Sequence, residues 1–117
     1  MKIKTGIKTG KQEPINICGS DLKIDIAKTK LQRKKGLMFR SNLPENEGML
    51  FIFDHPRRVG FWMMNTSIPL DVAFFTSNGV LTEIKSLQPF SKDIVFSQDN
   101  HIKYALEVNH GWFRRHC

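Results

Sequence analysis

The sequence predicts a mainly β domain, a β-rich α+β chain folded as a two-layer sandwich or squashed barrel with one short helix near residues 29–36. Three observations carry this reading. Residues 49–53, 59–64 and 70–75 are apolar at nearly every position, as strands covered on both faces are. Ile15 and Ile17, then Leu22, Ile24 and Ile26, and finally Ile102, Tyr104, Leu106 and Val108 alternate with more polar neighbours, the two-residue period of a strand. Asn78-Gly79 between Phe75 and Val80 is a tight-hairpin signal, because both residues tolerate the positive backbone angles such a turn demands.

Each element then follows in chain order. Gly19-Ser20-Asp21 separates the first two alternating runs and predicts a hairpin. Thr29 with Gln32 three residues on forms a capping box, Lys34 and Lys35 suit the negative end of a helix, and Gly36 can end it. Residues 41–47 make a polar connection containing Pro44. Asp54-His55-Pro56 and Ser67-Ile68-Pro69 interrupt the apolar runs, since proline cannot donate to a ladder and restricts the residue before it. Strands are expected at 70–76 and 80–86, an irregular stretch at 87–98, and a last strand at 102–108 followed by a short tail from Gly111.

A chain of 117 residues with 40% hydrophobic and 25% charged residues has the composition of one ordinary globular domain. Two parts are expected: a basic, flexible segment over residues 1–12 and a single β domain over 13–117. The net charge of +7 is unevenly placed. Residues 1–35 hold ten Lys or Arg against Glu13, Asp21 and Asp25, whereas residues 36–117 hold eight of each sign. A solvated basic tail is the plainer account, because a basic patch alone gives only salt-sensitive, non-specific attraction. No apolar run approaches the roughly 20 residues that cross a bilayer as a helix, so no transmembrane segment is predicted. The basic start lacks the apolar stretch of a signal peptide, which points to the cytoplasm for the chain as written. Cys18 and Cys117 cannot alone form a disulfide framework or a metal knuckle, and reduced, unpaired thiols are expected.

Four segments, Gly36-Leu37-Met38-Phe39-Arg40, Gly48-Met49-Leu50-Phe51, Phe61-Trp62-Met63-Met64-Asn65-Thr66 and Pro69-Leu70-Asp71, resemble in order and spacing the DUF192 family, also called uncharacterised protein family UPF0127. The likeness covers roughly residues 20–116, and Leu106-Glu107-Val108 with Gly111-Trp112 resembles the family's closing segment. The resemblance implies a small, mostly β domain of jelly-roll-like architecture and no established activity. It also implies that many relatives are exported or lipid-anchored, unlike the chain as written.

Asn65, Thr66 and Asp71 stand out because they are polar residues set into apolar sequence, where an acidic group must be paired or aimed at something polar. Arg40, at the end of the helical segment, is the natural partner for Asp71, since its planar fork satisfies both carboxylate oxygens. A structural Arg40–Asp71 pair, with Asn65 and Thr66 bonding backbone at a turn, is favoured over a ligand site built from the same atoms. In the ligand reading Arg40 receives an anionic or hydroxylated group, Asp71, Asn65 and Thr66 orient it, and Trp62 supplies a flat wall. Phe61 and Trp62 would point to opposite faces of a strand, one of them towards a less buried layer or groove, and packing of both in the core is the favoured expectation. Met38, Met49, Met63 and Met64 are expected to fill gaps rather than bind copper.

Catalytic templates fail. Gly6 to Lys11 is one residue short of a phosphate loop, and neither a GxSxG elbow nor an HExxH pair occurs. His110, His116 and Cys117 lack a recognisable fourth metal ligand, His55 reads as an exposed turn residue, and Cys18 has no local base. No catalytic residue, metal site or cofactor is therefore assigned. The function expected is a non-catalytic binding module for a small polar or anionic ligand. The alternative is a structural or interaction protein that applies its basic N-terminal region, Lys2 to Lys35, to an acidic partner or, less favoured, nucleic acid.

Overall fold

The computed structural model describes residues 14–117. The expectation for the basic segment at 1–12 lies outside them. The elements are β1 (Pro14–Ile17), β2 (Ser20–Ala27), α1 (Lys30–Lys35), β3 (Glu47–Arg57), β4 (Gly60–Phe61), β5 (Leu70–Thr76), β6 (Leu81–Leu87), β7 (Val95–Phe96), β8 (Ile102–Asn109) and α2 (Trp112–His116). Six strands form one sheet in the order β1-β2-β3-β8-β5-β6, and β4 pairs with β7 in a small second sheet. The fold is mainly β, as expected. It is open rather than a closed barrel, because β1 and β6 stand at the two ends of the strand order. The β2–β3 pair is parallel, and the other strand pairs are antiparallel. The segment between β2 and β3, with α1 in it, is long enough for the crossover a parallel pair needs.

Local chemistry explains most boundaries. Thr29 closes the predicted capping box: its hydroxyl accepts from Gln32 N at 3.1 Å, while Gln32 Oε1 accepts from Thr29 N at 3.1 Å. Gly36 ends α1 with φ +48°. The Asn78-Gly79 hairpin forms, with Gly79 at φ +77° and Thr76 N donating to Val80 O at 3.0 Å. The first hairpin turns at Cys18-Gly19, one residue earlier than expected, so Ser20 already opens β2.

Two expected breaks move. β3 runs on through Pro56 to Arg57, and its register against β8 shifts between Ile52 and Arg57; the proline sits where the ladder is already irregular. Conversely, only Gly60–Phe61 of the 59–64 run is strand, because Thr66 N donates to Met63 O at 3.1 Å and closes a turn.

The core lies on both faces of the six-stranded sheet. Met49, Phe51, Val72, Phe74 and Ala105 point to one face, where Leu37, Leu43, Phe61, Met63 and Ile68 cover them. Leu50, Ala73, Phe75, Leu106 and Val108 point to the other, beneath Trp112 and Phe113 of α2. Helix α2 has no counterpart in the sequence reading. It is five residues long, starts after Gly111 in the left-handed region, and its register is set by tertiary contacts: Trp112 Nε1 donates to Glu45 O at 2.8 Å and the indole stacks on His116.

The expectation of reduced, unpaired thiols is corrected. Cys18 and Cys117 form a disulfide with Cα atoms 5.1 Å apart, within the usual span. Residues far apart in sequence meet because α2 folds back over the β1–β2 turn, where Ser20 Oγ and His116 Nδ1 are 3.1 Å apart.

Candidate functional site

The five residues singled out from the sequence do not form one cluster. The expected Arg40–Asp71 pair is absent: Arg40 sits half-exposed against Asp25, 3.3 Å away, and Asp71 lies elsewhere. Asp71 is opposite Val108 and Ser86 in the sheet and so shares the face covered by α2. Its carboxylate accepts from Gly111 N at 2.8 Å, from Ser86 Oγ at 2.9 Å and from His110 Nδ1 at 2.8 Å. Burial by itself raises the Asp71 carboxyl, yet these hydrogen bonds outweigh it and hold the group below the ordinary aspartate value. The imidazole beside it belongs to His110, the residue after β8, a pairing decided by strand order and invisible to sequence proximity.

Asp71 is thus a staple between β5, β6 and the entry to α2. Asp71→Asn removes the charge from three donors and is expected to cost about 2–3 kcal/mol of unfolding free energy. Because the group's affinity for protons is lower in the folded chain, the loss shrinks at acid pH as Asp71 itself becomes protonated. Chemical denaturation of both proteins at neutral and acid pH measures it.

Trp62 and Thr66 meet on the opposite face, beside a cavity of about 250 Å³. Phe61, the last residue of β4, turns inward, and Trp62, just beyond the strand and 40% exposed, lines the cavity from its outer side, so the expectation that both pack in the core is corrected. Thr66 is buried and donates its hydroxyl to Met64 O at 3.0 Å. Asn65 sits in the same turn with φ +54° and shapes it through its backbone. The turn is clamped from two sides: Phe39 N donates to Asn65 O at 2.8 Å and Phe90 N to Thr66 O at 3.0 Å. Phe39 and Phe90 also have positive φ, so three non-glycine residues in the left-handed region converge beside one cavity. Such backbone costs roughly 1–3 kcal/mol per residue and persists only where the surroundings hold it.

The residue missed by the sequence reading is Glu107. It lies in β8 between Met49 of β3 and Val72 of β5, on the face packed with Phe51 and Phe74, and is only 4% exposed. Its carboxyl forms part of the cavity wall and has no hydrogen-bond partner among the described residues. No side-chain polar atom among those residues is both sealed from the surface and unbonded, so the carboxyl oxygens open to the cavity. Burial in this apolar layer pushes the group up to about 8, so it is predominantly the neutral acid at pH 7. An alternating β8 with Glu107 on its polar side reads as solvent-facing. Only the placement of β8 between two strands apolar on both faces buries it.

Around the mouth stand Lys34 and Lys35 of α1 and Arg57 of β3, with Arg33 deeper. Arg33 is already committed to Ile52 O at 3.0 Å, to Lys28 O and to Asp54 at 3.6 Å. Arg57 stacks over Phe53, 5.0 Å from the ring centroid, and has no carboxylate in ion-pair range among the described residues. Among the described residues Glu107 is the one acidic residue lining the cavity, so its entrance is electropositive.

A more open groove of about 480 Å³ lies near α2 along Glu45, Asn109, His110 and Arg115. Its polar groups are spent on one another: Arg115 grips Glu45 with two hydrogen bonds of 2.7 and 2.9 Å, and Asn109 Nδ2 donates to Leu43 O at 2.6 Å. Those bonds hold the Glu45 carboxyl down to about 2. The described residues contain no group of three or more His, Cys, Asp or Glu placed to hold a metal ion, and no helix among them is long and apolar enough to cross a membrane.

The DUF192 family model, described as "Uncharacterized ACR, COG1430", matches residues 13–117. Two solved structures are similar. One, from Sinorhizobium meliloti 1021, is described as a putative transcription regulator; it is 38% identical with a TM-score of 0.78, over 81% of this chain and 74% of its own. The other, a protein of unknown function from Novosphingobium aromaticivorans DSM 12444, is 32% identical with a TM-score of 0.78, over 82% of this chain and 69% of its own. Among curated proteins none matches.

Proposed function

The chain belongs to the DUF192 family, and on that premise we propose that it is a non-catalytic binding module for a small polar or anionic ligand. The observation that carries this reading is the Glu107 carboxyl, buried without a partner yet open to a cavity. An unpaired buried polar group costs about 1–3 kcal/mol, a cost that a ligand supplying the missing hydrogen bond would offset. The ligand's polar end meets Glu107, its body lies among Phe51, Phe61, Met63 and the Trp62 indole, and the strained turn at 65–66 keeps that wall in place. At about 250 Å³ the cavity is smaller than the usual drug-sized site, which suits a ligand of one ring or a short chain. Of the residues first singled out, Trp62 and Thr66 stay in this site, Asn65 supports it, and Arg40 and Asp71 do not enter it.

The test is a screen of small polar compounds by amide and indole NMR. Binding should shift Trp62, Thr66 and Glu107 together, and Trp62→Ala should weaken it by roughly tenfold, about 1–2 kcal/mol. Asp71→Asn should leave affinity unchanged at a temperature where it stays folded. A screen with no responding compound, or with responses confined to His110 and Arg115, removes the proposal.

A further inference from the structure

Resting on that reading of the cavity, we infer that the ligand is a small monocarboxylic acid, bound as its anion with its carboxylate against the Glu107 carboxyl group, which supplies the shared proton. Two features of the cavity select this class over a neutral or cationic one. The first is charge order. Among the described residues that line the cavity, the charged groups at the entrance are basic, namely Lys34, Lys35 and Arg57, so an anion is drawn in and an amine repelled. The second is what the floor offers. A neutral carboxyl presents one O–H donor beside its acceptor oxygen, that donor has no partner among the described residues, and the strongest acceptor it can meet is an ionised oxygen, in a short charge-assisted bond. A low-dielectric surround of Phe51, Phe53 and Phe61 strengthens that bond and disfavours a second, unshared charge.

The groups facing Glu107 leave this arrangement intact. Its sheet neighbours Met49 and Val72 are uncharged, as are Leu37, Met63 and Thr66 in the covering layer. Burial is the cause of the raised proton affinity of this acid. No bond is made or broken in the ligand. The bound state holds one proton between two carboxyl groups, so binding to the protonated pocket needs no exchange with solvent near pH 7. At higher pH the pocket must first take up a proton.

Calorimetric titration of the whole chain with benzoate, benzamide and benzylamine tests this, a matched set of anion, neutral and cation with one ring each. Benzoate should bind most tightly, with affinity level below pH about 8 and falling towards tenfold per unit above it. In Glu107→Gln, which keeps a donor but cannot ionise, benzoate affinity should drop several-fold at pH 7 and lose that fall at high pH. A fall that persists in the variant belongs to the basic rim and overturns the role given to Glu107. Benzamide or benzylamine binding as well as benzoate or better overturns the ligand class while leaving the cavity a binding site. If none of the three binds and the NMR screen is also silent, both readings fall.

Discussion

Wild-type protein unfolded by urea at a series of pH values should lose about 3–5 kcal/mol of stability as the pH rises from 4.5 to about 8, and Glu107→Gln should not. The sign follows from proton counting. In the unfolded chain Glu107 ionises near 4.5, whereas in the folded chain burial keeps it protonated up to about 8. Between those values the folded state binds more protons, so stability falls with pH, and the slope ends once both states are ionised. The window is separate from that of Asp71, whose hydrogen bonds lower its proton affinity and place its contribution at the acid end. Glu107→Gln should be the more stable protein above pH about 8 and the two should converge in mild acid. Equal slopes for both proteins would mean that Glu107 ionises freely, and the unpartnered acid at the base of the cavity would be lost as the focus of function.

The second large effect is reduction of the Cys18–Cys117 bond. It joins residues 99 positions apart and so closes a loop spanning nearly the whole described chain. In the chain-entropy account a loop of that size restricts the unfolded ensemble by about 4–5 kcal/mol. Cys18→Ser, Cys117→Ser or a thiol reductant should each lower stability by about 3–5 kcal/mol and the melting temperature by roughly 15 °C or more. The double variant should be no worse than either single one, because each removes the same cross-link. The native fold should survive in part, since α2 is also held by Trp112 beneath the sheet and by Arg115 and His116 on Glu45. A melting temperature indifferent to reductant, with two thiols open to alkylation in the untreated protein, would show that the bond does not form.

The two cases mark where sequence reading stops. The capping box at Thr29 and Gln32, the Asn78-Gly79 hairpin and the doubly apolar β5 were legible because their determinants lie within a few residues of one another. Trp62, expected in the core with Phe61, instead lies partly exposed just beyond the end of β4. Arg40 was assigned to Asp71 because both are charged and flank apolar sequence, but pairing is decided by which strands become neighbours. The order β3-β8-β5 brings His110 and Gly111 to Asp71 and leaves Arg40 to Asp25. Helix α2 escaped notice because five residues carry too little periodicity to register, and its stability comes from contacts with Glu45 and the sheet.

By itself, then, the sequence determined the mainly β class, most strand positions and the helix cap, since each rests on alternation, turn chemistry or local capping. The tertiary structure alone decided that β8 is an inner strand, and with it that Glu107 is buried, raised in proton affinity and without a hydrogen-bond partner among the described residues; it alone brought Cys18 to Cys117 and gave Asp71 its partners. The physical reason is that local free energy sets the conformation of a segment, whereas burial, proton affinity and cross-linking depend on what lies beside it, and the neighbours here come from the far end of the chain.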